Sequence, residues 1–152
     1  MSREQSFWDL HFLEIALVVA KVSKDPSTKV GAVIVDPYTR MIVSTGYNGF
    51  PRGVNDAPER YNDRPTKYAL VVHAEANAIL NAPRRPVDCT LFVTLAPCAE
   101  CAKLIIQSGI TRVVTFPALQ ERWTESHNTA VMMFKEAGIK LEYIAEDELG
   151  VQ

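Results

Sequence analysis

What most restricts the fold of this chain is the order of its β-branched and helix-forming runs. Val30-Gly31-Ala32-Val33-Ile34-Val35 and Met41-Ile42-Val43-Ser44-Thr45 are separated only by Asp36-Pro37-Tyr38-Thr39-Arg40, whose Asp and Pro favour a turn, so a β-hairpin is expected over 30–45. Upstream, Phe7, Leu10, Phe12, Leu13, Ile15, Leu17, Val18 and Val22 include many three- and four-residue spacings, uninterrupted by Gly or Pro, and predict an opening helix over 6–23. After the hairpin, good helix formers at 72–81 stop before Pro83, and Thr90-Leu91-Phe92-Val93-Thr94 predicts a strand. A helix over 99–107 closed by Ser108-Gly109, a strand over 112–116, a helix over 125–137 ended by Gly138 and a last strand over 139–144 complete the pattern. The order α-ββ-α-β-α-β-α-β implies a three-layer α/β/α fold of one domain over 1–152. Its five-stranded mixed sheet is antiparallel in the first hairpin and more parallel afterwards. Between hairpin and second helix, 46–64 gathers Gly49, Pro51, Gly53 and Pro58 among many charges, with Pro65 just beyond, and reads as a long polar loop.

Composition narrows the function classes. A chain of 152 residues, 47% hydrophobic and 22% charged, buries enough surface to fold without disulfides. Its three cysteines are therefore better suited to metal or thiol chemistry. Two of them, Cys98 and Cys101, frame a C-x-x-C pair of the kind found in reducing compartments, and a cytoplasmic location is expected. A net charge of −2 argues against binding a nucleic-acid polymer. The apolar run 15–20, bounded by Glu14 and Lys21, falls far short of the roughly 20 residues that span a bilayer, and Met1-Ser2-Arg3-Glu4 opens no signal-peptide pattern.

The residues that carry chemistry are His73, Glu75, Cys98 and Cys101. A catalytic zinc site needs three protein ligands and an open fourth position, and one imidazole with two thiolates meets that need at neutral pH. His73 and Cys98 both fall where a helix is predicted to begin. There the partial positive charge of the helix end favours thiolate over thiol. One predicted strand lies between Glu75 and Cys98, enough to bring the two helix starts side by side. Glu75 projects about 200° around the helix from His73, so direction alone does not assign it. Its chemistry is more telling: a carboxylate in a water-poor pocket beside a metal can take up and return the protons of a hydrolytic reaction. The alternatives for C-x-x-C are a structural zinc module and a thioredoxin-like redox pair. The redox reading leaves His73 and Glu75 without a purpose and lacks the usual aromatic-Cys-Gly-Pro-Cys surroundings.

His-x-Glu followed by Pro-Cys-x-x-Cys resembles the zinc nucleobase deaminases. Ser23-Lys24-Asp25-Pro26, Val30-Gly31-Ala32, Gly46-Tyr47-Asn48-Gly49-Phe50-Pro51, His73-Ala74-Glu75-Ala76-Asn77-Ala78-Ile79 and Cys101-Ala102-Lys103-Leu104-Ile105-Ile106-Gln107 extend the resemblance over nearly the whole chain, to the deoxycytidylate deaminase family. It implies the cytidine-deaminase-like fold and hydrolysis of dCMP to dUMP and ammonia, with one Zn2+ on His73, Cys98 and Cys101 and Glu75 as acid and base. By the same resemblance the backbone at Ala74 and Ala96 grips the pyrimidine edge, Asn48 contacts the sugar, and Ser27 and Lys29 lie where the family gathers phosphate-binding groups. Tyr47, Gly49, Arg52, Arg60 and Arg64 fall in the region that forms an allosteric site for dCTP and dTTP, usually with Mg2+, and the family commonly forms homo-hexamers. Some members hold a second, structural zinc through extra Cys and His residues, which 46–72 lacks, so one zinc is expected. Cys89 is read as a buried small side chain, and His11 and His127 as helix residues outside the ligand set. One departure follows the fourth strand. Many members have an aromatic residue with polar partners there, whereas this chain reads Phe116-Pro117-Ala118-Leu119-Gln120-Glu121-Arg122-Trp123. Arg122 and Trp123 are candidates to replace those groups by charge and stacking. Modified cytosine nucleotides and tRNA adenosine remain the alternative substrates.

Overall fold

The computed structural model describes residues 3–118 and 121–149, with side chains for 4–118 and 124–149. The first helix, α1 (Arg3–Ala20), is followed by the hairpin β1 (Gly31–Val35) and β2 (Ile42–Tyr47). Two short helices, α2 (Pro58–Asn62) and α3 (Arg64–Leu70), precede α4 (Ala74–Asn81). Alternation then brings β3 (Thr90–Val93), α5 (Ala99–Ser108), β4 (Arg112–Thr115), α6 (Glu121–Ala137) and β5 (Lys140–Tyr143), with a closing 3-10 turn at Glu146–Leu149.

The strands form one sheet in the order β2-β1-β3-β4-β5. β1 runs antiparallel to both β2 and β3, and β3, β4 and β5 are mutually parallel, as the element order predicts. β1 and β3 are buried throughout, whereas β2 and β5 at the edges are partly exposed. Central strands covered on both faces read as continuous apolar runs, and β1 and β3 do. Ala32, Ile34, Leu91, Val93 and Val113 face Ala78, Ala102, Ile105, Ala130 and Phe134 on α4, α5 and α6. The alternate residues Val33, Val35, Phe92 and Val114 face Phe12, Leu13 and Ala16 on α1.

Two glycines let the helices approach this closely. A Cβ on Gly31 would stand 2.0 Å from the Ala16 carbonyl oxygen, and one on Gly46 would stand 2.3 Å from the Ala78 nitrogen and 2.5 Å from the Ala74 carbonyl oxygen. α1 and α4 therefore rest directly on the sheet backbone, from opposite faces. α4 is also stitched to β2. The Ser44 hydroxyl donates to the Ala78 carbonyl at 2.7 Å, and the Asn77 and Asn81 amides donate to the Tyr47 and Thr45 carbonyls at 2.8 and 2.9 Å.

Two expectations are corrected. The stretch 46–64 is not wholly a loop, because its end folds into α2 and leads into α3. Pro58 and Pro65 each sit in the first turn of these helices, where a missing N–H costs nothing and the fixed φ favours the helical turn. The first helix ends at Ala20 rather than 23, since Lys21, Val22 and Ser23 close it with i→i+3 bonds to Val18, Val19 and Ala20. Its sheet-facing stripe is Asp9, Phe12, Leu13, Ala16 and Ala20, leaving Phe7 and Val18 exposed.

Candidate active site

His73 and Cys98 are the N-cap residues of α4 and α5, both in extended backbone conformation, and neither makes a side-chain cap. The chain before each is pinned to the sheet. Val72 exchanges two backbone hydrogen bonds with Gly49, just past β2, at 2.8 and 3.1 Å. Thr94, just past β3, receives the Gly31 N–H on its hydroxyl at 3.1 Å and donates its own N–H to the Gly31 carbonyl at 3.0 Å. The first helical bonds, Asn77 N–H to the His73 carbonyl and Ala102 N–H to the Cys98 carbonyl, fix where each helix starts. The neighbouring helix ends thus present His73 and Cys98 together, with Cys101 in the first turn of α5.

The ligand atoms of His73, Cys98 and Cys101 all lie within 4.8 Å of one another. His73 Nδ1 stands 3.2 Å from Cys101 Sγ and 3.5 Å from Cys98 Sγ. Zn–S bonds of about 2.3 Å and Zn–N bonds of about 2.0–2.1 Å, at a tetrahedral angle, put N and S about 3.6 Å apart. The donor set therefore fits zinc in both type and spacing. Hydrogen bonds from Cys101 and His73 hold the Cys98 thiol down at about 4, against the opposing effect of burial. Cys101 is pushed far above the thiol range because its proton is the one given to Cys98 and because it is buried. The hydrogen bond to Cys98 likewise raises His73. These three donors share protons that a divalent cation would displace, which couples metal binding to proton release.

Glu75 follows on the second residue of α4 and is only 4% exposed. Burial, chiefly, pushes its carboxyl up to about 7, while the nearby His73 opposes the shift. A carboxyl poised near neutrality beside a metal-type donor set can both take and return a proton.

A cleft of about 140 Å³ opens on this group and is lined by His73, Ala74, Glu75, Ala96 and Cys98 at the donor set, and by Asn48, Asp25, Thr28, Lys67 and Tyr68 beyond it. That volume is small against the roughly 300–1,000 Å³ of drug-sized sites and suits a compact heterocycle. Of the residues singled out in the sequence, Asn48, Ala74 and Ala96 line the cleft. Asn48 is buried, its Oδ1 accepting from the Val30 N–H and its Nδ2 donating to the Thr28 carbonyl, both at 2.9 Å. One further donor and acceptor position of the amide stays available.

Ser27 and Lys29 do not line the cleft. The Lys29 ammonium is bonded to the Ser23 carbonyl. The Ser27 hydroxyl donates to Asp25 and accepts from the Lys67 ammonium at 3.0 Å. Lys67 was not anticipated. It is 6% exposed and pairs with Asp25, 2% exposed, at 3.3 Å. The Ser27 and Thr28 N–H groups and Lys67 together hold the Asp25 carboxyl low in spite of its burial. Nothing in the sequence joins residues 25 and 67, which meet only because α3 folds back beside the approach to β1. Tyr47, Gly49, Arg52, Arg60 and Arg64 also lie off the cleft. Arg52 reaches Asn81 at 3.5 Å, Arg60 reaches the Asn55 carbonyl at 3.2 Å, and Arg64 is exposed at the start of α3. The side chains of Arg122 and Trp123 lie outside the described residues.

Residues 6–116 match the family described as the cytidine and deoxycytidylate deaminase zinc-binding region. The chain is 41% identical over 147 residues to an uncharacterised deaminase encoded in the luxG 3′ region of Aliivibrio fischeri, covering 95% of this chain and 98% of that one. It is 44% identical over 140 residues to the deoxycytidylate deaminase of Mus musculus, covering 87% of this chain and 76% of the mouse protein. The apo crystal structure of the dCMP deaminase of cyanophage S-TIM5 superposes with a TM-score of 0.71 at 24% identity, over 95% of this chain and all of the phage chain, and so shares the fold. Sequence, fold and donor set agree: the chain belongs to the cytidine and deoxycytidylate deaminase family.

Proposed function

We propose that this chain catalyses the hydrolytic deamination of dCMP to dUMP. The observation that carries the reading is the buried Glu75 carboxyl, poised near neutrality beside the His73, Cys98 and Cys101 donors at the cleft. The mouse relative, whose name specifies deoxycytidylate, supports dCMP as substrate. Zinc held by the three donors would supply Lewis acidity and an activated water at neutral pH. The residues of the chain do the rest. Glu75 takes a proton from the attacking water, passes it to the pyrimidine ring nitrogen, and delivers the proton with which the amino group departs as ammonia. The backbone of Ala74 and Ala96 grips the base, and Asn48 uses its remaining hydrogen-bonding capacity on the sugar. Among the described residues lining the cleft, Lys67 is the one lysine or arginine, which favours it over Lys29 for the substrate phosphate. Ser27 contributes through its contact with Lys67.

The regulatory reading is that dCTP and dTTP, with Mg2+, act at the segment carrying Tyr47, Gly49, Arg52, Arg60 and Arg64, in a cytoplasmic homo-hexamer. Its support is the family likeness and the exposed Arg52 and Arg64. The experiment is a panel of dCMP, deoxycytidine, dCTP, 5-methyl-dCMP and tRNA, given to zinc-loaded protein with and without dCTP and dTTP and followed by absorbance and ammonia release. Preferred turnover of dCMP is expected. No turnover of dCMP, or faster turnover of another substrate, overturns the assignment.

A further inference from the structure

The backbone around Cys98 is held from outside its own helix. The Ala99 N–H, at the start of α5, donates to the Ser126 hydroxyl of α6 at 2.9 Å. The next residue of α6, His127, is 4% exposed and has both ring nitrogens engaged. Nδ1 lies 2.8 Å from the Pro97 carbonyl oxygen and Nε2 lies 2.6 Å from the Tyr143 hydroxyl on β5. A carbonyl only accepts, so Nδ1 carries the hydrogen, and Nε2 of the neutral ring accepts from the Tyr143 O–H. The peptide units on both sides of Cys98 are thus tied to α6. Cys98 itself, at φ −80° and ψ 170°, is outside the helix and lacks the restraint of a helical turn before it.

We infer that Ser126, His127 and Tyr143 are positioning residues that clamp the Cys98 backbone so that its thiolate meets the metal. The inference rests on the zinc reading above and extends it to residues outside the donor set; Ser126 also lines the cleft, whereas His127 and Tyr143 do not. A ligand must be held within roughly 0.5 Å of its working position, and these two bonds fix the peptide units on either side of Cys98. Groups that orient metal ligands typically change metal affinity by about 10- to 100-fold when removed. Tyr143 acts one step further out, by fixing the tautomer that lets His127 donate to Pro97.

Substitutions at 127 separate positioning from packing. The amide nitrogen of Asn falls where Nδ1 of His stands, whereas that of Gln falls near Nε2. His127→Asn therefore keeps the bond to Pro97, and His127→Gln loses it although Gln is closer to His in volume. Zinc affinity is read by competition with a chromogenic chelator, on the full chain, with parent, His127→Asn, His127→Gln, His127→Ala, Ser126→Ala and Tyr143→Phe. The parent is expected to hold one zinc per chain, His127→Gln and His127→Ala to bind it at least tenfold more weakly, and His127→Asn to stay within about threefold. Ser126→Ala is expected to weaken zinc severalfold, and Tyr143→Phe less. If His127→Ala does not fold, the comparison of Asn with Gln stands alone. Equal affinity across the variants, or Gln outperforming Asn, overturns the clamp while leaving the zinc reading intact. A folded parent that binds no zinc overturns both.

Discussion

Replacing Gly46 by Ala tests the packing that places half of the site. The added Cβ would lie 2.3 Å from the Ala78 nitrogen, 2.5 Å from the Ala74 carbonyl oxygen and 2.9 Å from the Ala78 Cα, all backbone atoms with no rotamer to yield. Restoring ordinary contact, about 3.4 Å, requires α4 to retreat by about 1 Å. The three hydrogen bonds from Ser44, Asn77 and Asn81 straddle this point at 2.7–2.9 Å, and the same retreat stretches them beyond useful length. Overpacking costs about 1–3 kcal/mol and each of the three weakened bonds about 0.5–1.5 kcal/mol, so a loss of at least about 3 kcal/mol is expected, or a fall of at least about 6–12 °C in Tm for a chain of this size. Because α4 begins with His73 and Glu75, zinc content and turnover should fall with it. The assay is thermal unfolding at fixed zinc, with metal content and dCMP turnover on the same samples. Gly49→Ala is the control, since its Cβ meets only the Tyr61 hydroxyl at 3.7 Å. Gly46→Ala protein with parental Tm, zinc content and turnover would refute the reasoning.

Asp9 is fully buried and forms a two-pronged pair with Arg112 at 2.6 and 3.0 Å, far from the cleft. Asp9→Ala leaves the guanidinium with Glu142 as its remaining partner and should cost about 3 kcal/mol in urea unfolding, with kcat for dCMP little changed. Lys67→Met should raise KM for dCMP at least tenfold while changing KM for deoxycytidine much less, as steady-state kinetics on both substrates would show; an equal change in both would remove Lys67 from phosphate recognition. Acid should destabilise the fold through Asp25 and Glu142. Both carboxyls are held below their ordinary values of 3.8 and 4.5 in the folded chain, Asp25 against its burial by the Ser27 and Thr28 N–H groups and Lys67, Glu142 by Arg112. Their contribution is therefore full above those values and is lost as pH falls through the lower folded ones. Tm of metal-stripped protein should drop steeply below about pH 4, and less steeply in Asp25→Asn.

The strand and helix order was legible because β-branched runs and Gly or Pro punctuation agree locally along most of the chain. The loop expected over 46–64 instead ends in α2, and α3 follows over 64–70, because Pro58 and Pro65 stand in helix first turns and do not break them. The donor set was legible because its residue types and helix-start positions carry the chemistry by themselves. Lys67 and Asp25 were not, since their pairing depends on how α3 folds back across 42 residues. The sequence reads His127 as a helix residue outside the ligand set and holds no sign of its bond to Pro97, which exists only through the packing of α6 on α5. The phosphate-binding groups expected at Ser27 and Lys29 show the same limit: sequence position carries no side-chain direction, and Lys29 turns away to the Ser23 carbonyl.

The central claim is that Glu75 moves protons beside a metal it does not hold. Glu75→Gln keeps the size and burial of the side chain and removes its ability to take up a proton. Zinc per chain and dCMP turnover, measured together on the purified variant, separate the two roles. The account predicts one zinc per chain, unchanged binding of dCMP, and turnover reduced by at least a thousandfold, in line with the 10²–10⁴-fold range of general acid–base catalysis. Turnover near the parental rate, or zinc lost along with activity, would contradict it.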